Sequence, residues 1–350
     1  MIFLVLILCF IAALQLRRNS AGFAADVLQR DVTIPINGFF VMLIFIDHFV
    51  QCVCKCGYTM GGLSDGAYNL FRHYLSQLHV VSFLFFSGYG MMEAIQNRGM
   101  DYVSKIPKSR FLTVYINFVI GVSFFIVLNF LLADRLSVPT MIAAMTGWVQ
   151  IGNPSWFIVC ILWCYASVFI AFEALHLLKM KSDLAAISFV CALVCLYIFV
   201  IIMFRQEKPW WYNTALVFPF GMAFSKSKEI LLPIFKKHYM PSLLVVAALF
   251  ALLSRYSYST YGFCHNLMSC VFMLLVVIVT MKLRFTANGC LGWLGRYVFP
   301  IYMYQFVFFF LVKHSGITIN TKPMVGFVFI LTLLLTLLTA HFSRFWMVKF

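Results

Sequence analysis

Residues 36–49 read INGFFVMLIFIDHF. Between Asn37 and Asp47 stand nine residues without a polar side chain. Apolar side chains fall on every side of such a helix, so it has no wet face of the kind a surface helix needs. Read outward, the apolar run covers 35–54. Twenty helical residues are about 30 Å long, the hydrocarbon thickness of a bilayer.

Ten further runs read the same way, at about 1–16, 74–95, 111–133, 155–178, 184–204, 213–225, 240–254, 259–282, 291–312 and 324–345. The runs at 1–16, 213–225 and 240–254 are short. The second of these also carries Pro219 and Gly221, so this pair fits tilted or re-entrant segments. Composition agrees: 63% of the 350 residues are hydrophobic and 11% charged, against about 25% charged in a soluble domain. The sequence thus predicts an all-α fold, a polytopic integral membrane helix bundle of about eleven transmembrane helices. No stretch between runs is long enough to fold alone. The brief apolar segment 139–151 reads as an interfacial helix, and no signal-peptide cleavage site is visible after 1–16.

The net charge of +15 reads as a topology signal rather than a nucleic-acid surface, since Lys and Arg gather on the cytoplasmic side of membrane proteins. Alternate loops carry eighteen Lys and Arg on one side and eight on the other. That split predicts a multi-pass protein with its N-terminus outside and its C-terminus in the cytoplasm. Of the 11 cysteines, Cys160/Cys164 and Cys191/Cys195 read as packing residues. Cys52, Cys54 and Cys56 alternate, which fits no common zinc pattern. No metal is expected, and a disulfide there needs an oxidising compartment.

Ionisable residues inside spans are expensive and suggest function. Glu93, Glu173, His176 and His341 lie near cytoplasmic ends, where snorkelling or pairing accounts for them. Asp47 and His48 lie deeper, about 18–20 Å along their span, and His79 starts a span running the other way. Asn37 precedes His48 by eleven residues, three helical turns on one face. It reads either as part of a polar stripe or as a helix-start residue.

At these residues the chain resembles membrane acyltransferase family 3, in particular its small members of the bacterial cell-surface polysaccharide O-acyltransferase type. INGFFVMLIFIDHF (36–49) is similar to the family's opening helix, and FLFFSGYGMMEAIQNRG (83–99) to its FFxxSGY helix. KIPKSRFLTVY (105–115), NPSWFIVCILWCY (153–165), WWYNTALVFPFGMAFSK (210–226) and LGRYVFPIYMYQ (294–305) follow in family order. The resemblance implies a ten-helix core, here with one extra N-terminal helix. It divides the chain into 1–30, a transmembrane helix and cytoplasmic loop, and 31–350, the acyltransferase-like domain. It also implies transfer of an acyl group from cytoplasmic acetyl-CoA or another acyl-CoA to a hydroxyl of a cell-surface glycan or lipid-linked saccharide. The setting would be the bacterial inner membrane, with membrane lipid and no nucleic acid as partner. Two positions depart from the family: Asn37 stands where Arg is frequent, and Gln305 where a late His is frequent.

Acyl transfer needs a base, a held thioester and a donor to the oxyanion. His48 is the expected base. Asp47, about 100° round the helix from it, points to His79 or another partner. His79, Ser87, Gln305 and Asn213 are expected hydrogen-bond donors. Ser87 reads alternatively as a nucleophile or, with Gly88, as a close-packing pair. Lys105, Lys108 and Arg110, with Asn37, are expected on the CoA side, unless the basic residues serve topology alone. Trp156, Trp210 and Trp211 read as an interfacial belt or as a stacking surface for sugar, for which Trp156 and Trp211 are the stronger expectation. Two other functions are open: a transporter or flippase of a lipid-linked glycan, whose polar stripe would carry substrate across but for which no internal repeat is visible, and a membrane sensor or scaffold, which needs no polar residues converging at one depth.

Overall fold

The computed structural model describes all residues except 19–21, 24–26, 133–134, 258–262 and 350. The first residues of the run expected at 259–282 therefore lie outside the described residues. The short helix α1 (Ile2–Gln15) and the strand β1 (Leu16–Arg18) precede α2 (Arg30–Lys55). Helix α3 (Gly62–Leu75) and a 3-10 turn (Ser76–Val80) lead into α4 (Val81–Arg98). Then come α5 (Met100–Val103), a π turn (Pro107–Leu112), α6 (Thr113–Leu132) and α7 (Val138–Met145). Helices α8 (Trp156–Leu177), α9 (Asp183–Val200), α10 (Val217–Lys237), α11 (Tyr239–Ser257) and α12 (Phe263–Thr280) follow. Strand β2 (Leu283–Phe285), α13 (Cys290–Arg296), α14 (Val298–His314) and α15 (Lys322–Phe342) complete the chain.

Among the described residues eight helices are long and apolar enough to cross a membrane, and nine when α13 and α14 count as one broken span. Eleven were expected, and the difference has two physical sources. Helix α1 has 14 residues, about 21 Å, which is short of the hydrocarbon core. The run expected at 213–225 forms the first half of α10, whose second half carries Lys226, Lys228, Glu229, Lys236 and Lys237. The run at 291–312 is bent by 83° between α13 and α14, where Tyr297 leaves the helical region and Pro300 follows at the new helix start. The expected interfacial helix appears as α7. The segment 62–75, expected as a loop, is α3.

Two backbone-to-backbone crossings fix the bundle. A Cβ at Gly88 of α4 would strike the carbonyl oxygen of Phe218, and one at Gly221 of α10 would strike that of Phe85. In the same way a Cβ at Gly38 of α2 would strike the Leu291 carbonyl, and one at Gly295 of α13 the Ile34 carbonyl. Small residues allow such approach, and van der Waals contact then holds helices that lipid cannot drive together. Helix α2 is the most enclosed of the spans and α11 the least. Strand β1 pairs antiparallel with β2, which ties the end of α1 to the segment before α13.

The two charge sides are also two ends of the bundle. Lys55 ends α2, Trp156 starts α8 and Lys313 falls at the end of α14; all three line one cavity. The opposite end of α8 meets the end of α4 and the start of α9 around another.

Candidate active site

Asp47 and His48 face different neighbours, as their offset on α2 requires. Asp47 is buried. Its Oδ1 accepts a hydrogen bond from the Tyr68 hydroxyl at 2.5 Å, and its Oδ2 lies 3.2 Å from Nδ1 of His79. The His79 ring sits between Phe40 and Phe71, with Nε2 buried and without a hydrogen-bond partner among the described residues. Asp47 therefore holds His79 and α3, not His48.

His48 turns to α14. Its ring centroid is 4.6 Å from that of Phe306 and 6.5 Å from that of Tyr302, and Gln305 interacts with it. These three residues share one helix face by their spacing. His48 Nδ1, Gln305 Oε1 and the Tyr302 hydroxyl are all buried without a hydrogen-bond partner among the described residues. Each such atom costs about 1–3 kcal/mol, and of the three residues only His48 lines the neighbouring cavity. His48 lines a cavity of about 610 Å³ that opens past Trp156, Gln150 and Lys313. It lies seven residues from the end of α2, so the base is about 10 Å below that end of the bundle.

The remaining expected residues divide. Trp156 lines the His48 cavity. Trp211 does not: it is 2% exposed, under the Arg205 guanidinium at 4.1 Å, while its carbonyl accepts from the Tyr197 hydroxyl. The exposed ring is Trp210, at 41%, which lines the cavity in its place. Asn213 is fully buried, with both side-chain polar atoms unpartnered among the described residues and its carbonyl 3.2 Å from Nδ1 of His265. It lines none of the described cavities. Ser87 lies on α4 with its hydroxyl 3.0 Å from that of Tyr165, outside the His48 cavity.

Asn37 is interior to α2, which begins seven residues earlier at Arg30, so it is not a helix-start residue. Its Oδ1 is buried and unpartnered among the described residues, on the same helix as His48 and three turns away. Lys105, Lys108 and Arg110 are exposed at the opposite end. There Arg110 Nε donates to the Tyr102 hydroxyl at 3.2 Å, and Arg98 covers the same ring at 4.5 Å. A cavity of about 610 Å³ at that end is lined by Gln96, His176, Lys181 and Lys226, and not by the three expected cations. Glu93 pairs with Lys228 at 2.6 Å rather than with Arg98, and accepts from Ser225. His341 stacks on Trp293. The eleven cysteines, Cys52, Cys54 and Cys56 among them, are free thiols.

Sequence reasoning missed Tyr68, Arg72, Tyr302 and His265. Tyr68 and Arg72 were hidden in a presumed loop. His265 had a signal, an ionisable residue inside the expected span 259–282, and it is buried against Asn213 and Ser269.

Comparison with known proteins gives the family. The family model described as the acyltransferase domain matches residues 36–341, nearly the whole chain from the start of the quoted stretch. No curated protein and no solved structure matches the chain. A multi-helix membrane bundle matched over that length belongs to membrane acyltransferase family 3, and this chain is an acyltransferase.

Proposed function

We propose that this acyltransferase moves an acyl group, acetyl in the first instance, from cytoplasmic acyl-CoA to a hydroxyl of a cell-surface or lipid-linked glycan, with His48 as general base. The observation that carries the reading is that His48, whose Nδ1 has no hydrogen-bond partner among the described residues, lines a cavity rimmed by Trp156, Trp210, Gln150 and Asn153. Aromatic faces and amide side chains suit a sugar, whose rings stack and whose hydroxyls need partners. Neutral imidazole takes the acceptor hydroxyl's proton. The sugar oxygen attacks the thioester carbonyl, the C–S bond breaks, and the leaving thiolate recovers the proton from His48. The Tyr302 hydroxyl supplies a hydrogen bond where negative charge develops on the carbonyl oxygen, and Gln305, whose Nε2 donates to the Tyr302 carbonyl, braces that helix turn beside His48. Asp47 and Tyr68 position His79. Lys105, Lys108 and Arg110 serve the CoA phosphates at the other end, with Asn37 between. In this reading 31–350 is the catalytic domain. The setting is the bacterial inner membrane, with the N-terminus outside and the C-terminus in the cytoplasm.

Purified protein in lipid nanodiscs, given radiolabelled acetyl-CoA and a glycan extract of the cell surface, is expected to move label into the glycan and release free CoA thiol. Absence of acceptor-dependent thiol release would favour a flippase. Trp210→Ala is expected to raise the KM for acceptor by roughly three- to tenfold, from lost ring stacking, with little change in kcat. Trp211→Ala is expected instead to lower the amount of folded protein. Steady-state kinetics on both, normalised to folded protein, separates the two roles.

A further inference from the structure

We infer that the acceptor is an anionic saccharide, whose phosphate or carboxylate the Arg72 guanidinium holds while a hydroxyl reaches His48. The inference rests on the acyl-transfer reading and names the substrate class of that same site. A second cavity, of about 540 Å³, shares Trp210 with the His48 cavity. Both fall in the size range of small-molecule sites, about 300–1,000 Å³. Arg72 lines the second cavity and acts electrostatically on His48, so the two cavities approach each other at these residues.

Arg72 is half-buried on α3, and among the described residues no ion pair or hydrogen bond engages its guanidinium. Lys55 and Lys313, on the other cavity, are likewise outside every described ion pair. Neither cavity is lined by an Asp or Glu. At the opposite end Asp183 holds Lys226 and Glu93 holds Lys228, each at 2.6 Å. Arg72, Lys55 and Lys313 have no such carboxylate partner among the described residues. A lysine at a span end finds lipid phosphate or water by snorkelling. Arg72 instead lines a cavity beside a tryptophan face, the buried histidine His265 and Gln77. A partly desolvated cation without an anion is unfavourable. The planar guanidinium matches phosphate or carboxylate through two parallel hydrogen bonds. A neutral saccharide would leave that charge unanswered.

Equilibrium dialysis on the full chain in nanodiscs tests this with three radiolabelled probes: digalactose, digalacturonate and prenyl-diphosphate-linked digalactose. At least one charged probe is expected to bind about tenfold or more tightly than digalactose. Preference for digalacturonate places the anion on the sugar, and preference for the third probe places it on the lipid carrier. Arg72→Gln is expected to bring charged and neutral probes within about twofold of each other, Arg72→Lys to keep part of the difference, and His48→Ala to keep all of it. Equal binding of charged and neutral probes by the unaltered protein, binding of none of them, or a charge preference surviving Arg72→Gln in folded protein would overturn the inference. A charge preference without any acyl transfer would overturn the acyl-transfer reading and leave the anion site standing.

Discussion

His48→Ala is expected to abolish transfer of acyl groups to the proposed glycan acceptor, with the amount of protein in the membrane unchanged. The expected loss in kcat/KM is about 10²–10⁴-fold, the contribution of a well-placed general base. Stability should hardly change, because two effects oppose each other. Truncation gives up the contact with Phe306, yet it removes a buried ring nitrogen that lacks a partner among the described residues, a penalty of about 1–3 kcal/mol. His48→Gln is the sharper variant. It keeps a polar side chain of similar reach but has no basicity near neutral pH, so it too should be inactive. The assay is label transfer into glycan, normalised to tagged protein in washed membranes. Activity near that of the unaltered protein in either variant would remove His48 from the mechanism.

Gly88→Ala is expected to cost more than any other single methyl group added to this chain's SGYG stretch. The new Cβ would meet the Phe218 carbonyl, a backbone atom that no rotamer change can move. Overpacking typically costs about 1–3 kcal/mol and more where nothing yields, against a total stability of about 5–15 kcal/mol. Two residues away, a Cβ at Gly90 would meet nothing within 4 Å, and alanine there gains about 0.5–1 kcal/mol of helix preference. The pair therefore shares a helix, chemistry and depth, and differs in one contact. Folded protein measured by fluorescence-detected size exclusion should fall sharply for Gly88→Ala and hold or rise for Gly90→Ala. Equal recovery of both would mean that the α4–α10 crossing is not what holds the bundle.

Most spans were legible because a bilayer demands one easily counted property, an apolar run of fixed length. That demand says nothing about segments lying over the site. Helix α3, GLSDGAYNLFRHYL, is half polar and reads as a loop, yet it delivers Tyr68 to Asp47 and Arg72 to the cavity. The separation of Asp47 from His48 was legible, since adjacent helical residues diverge by about 100°. Which neighbour each would meet was not. Trp210 and Trp211 show the limit most clearly. They are the same residue type side by side in a 3-10 turn, and one is exposed while the other is buried under Arg205. The break between α13 and α14 did leave a trace in Pro300, which was read as part of one continuous span.

The reciprocal glycine crossings bear on how such a protein can acquire a new substrate. Where two main chains touch there is no layer of side chains to repack, so α2 cannot shift on α13, nor α4 on α10, without breaking contact. His48 rides on α2, and His79 lies in the 3-10 turn that leads into α4. Their placement is thus a property of the backbone and is shielded from drift in sequence. The residues around the mouth, Trp210, Lys313 and Arg72, are outside those crossings. They are free to be exchanged one at a time, so a change of acceptor can be written at the rim while the helices beneath it stay as they are.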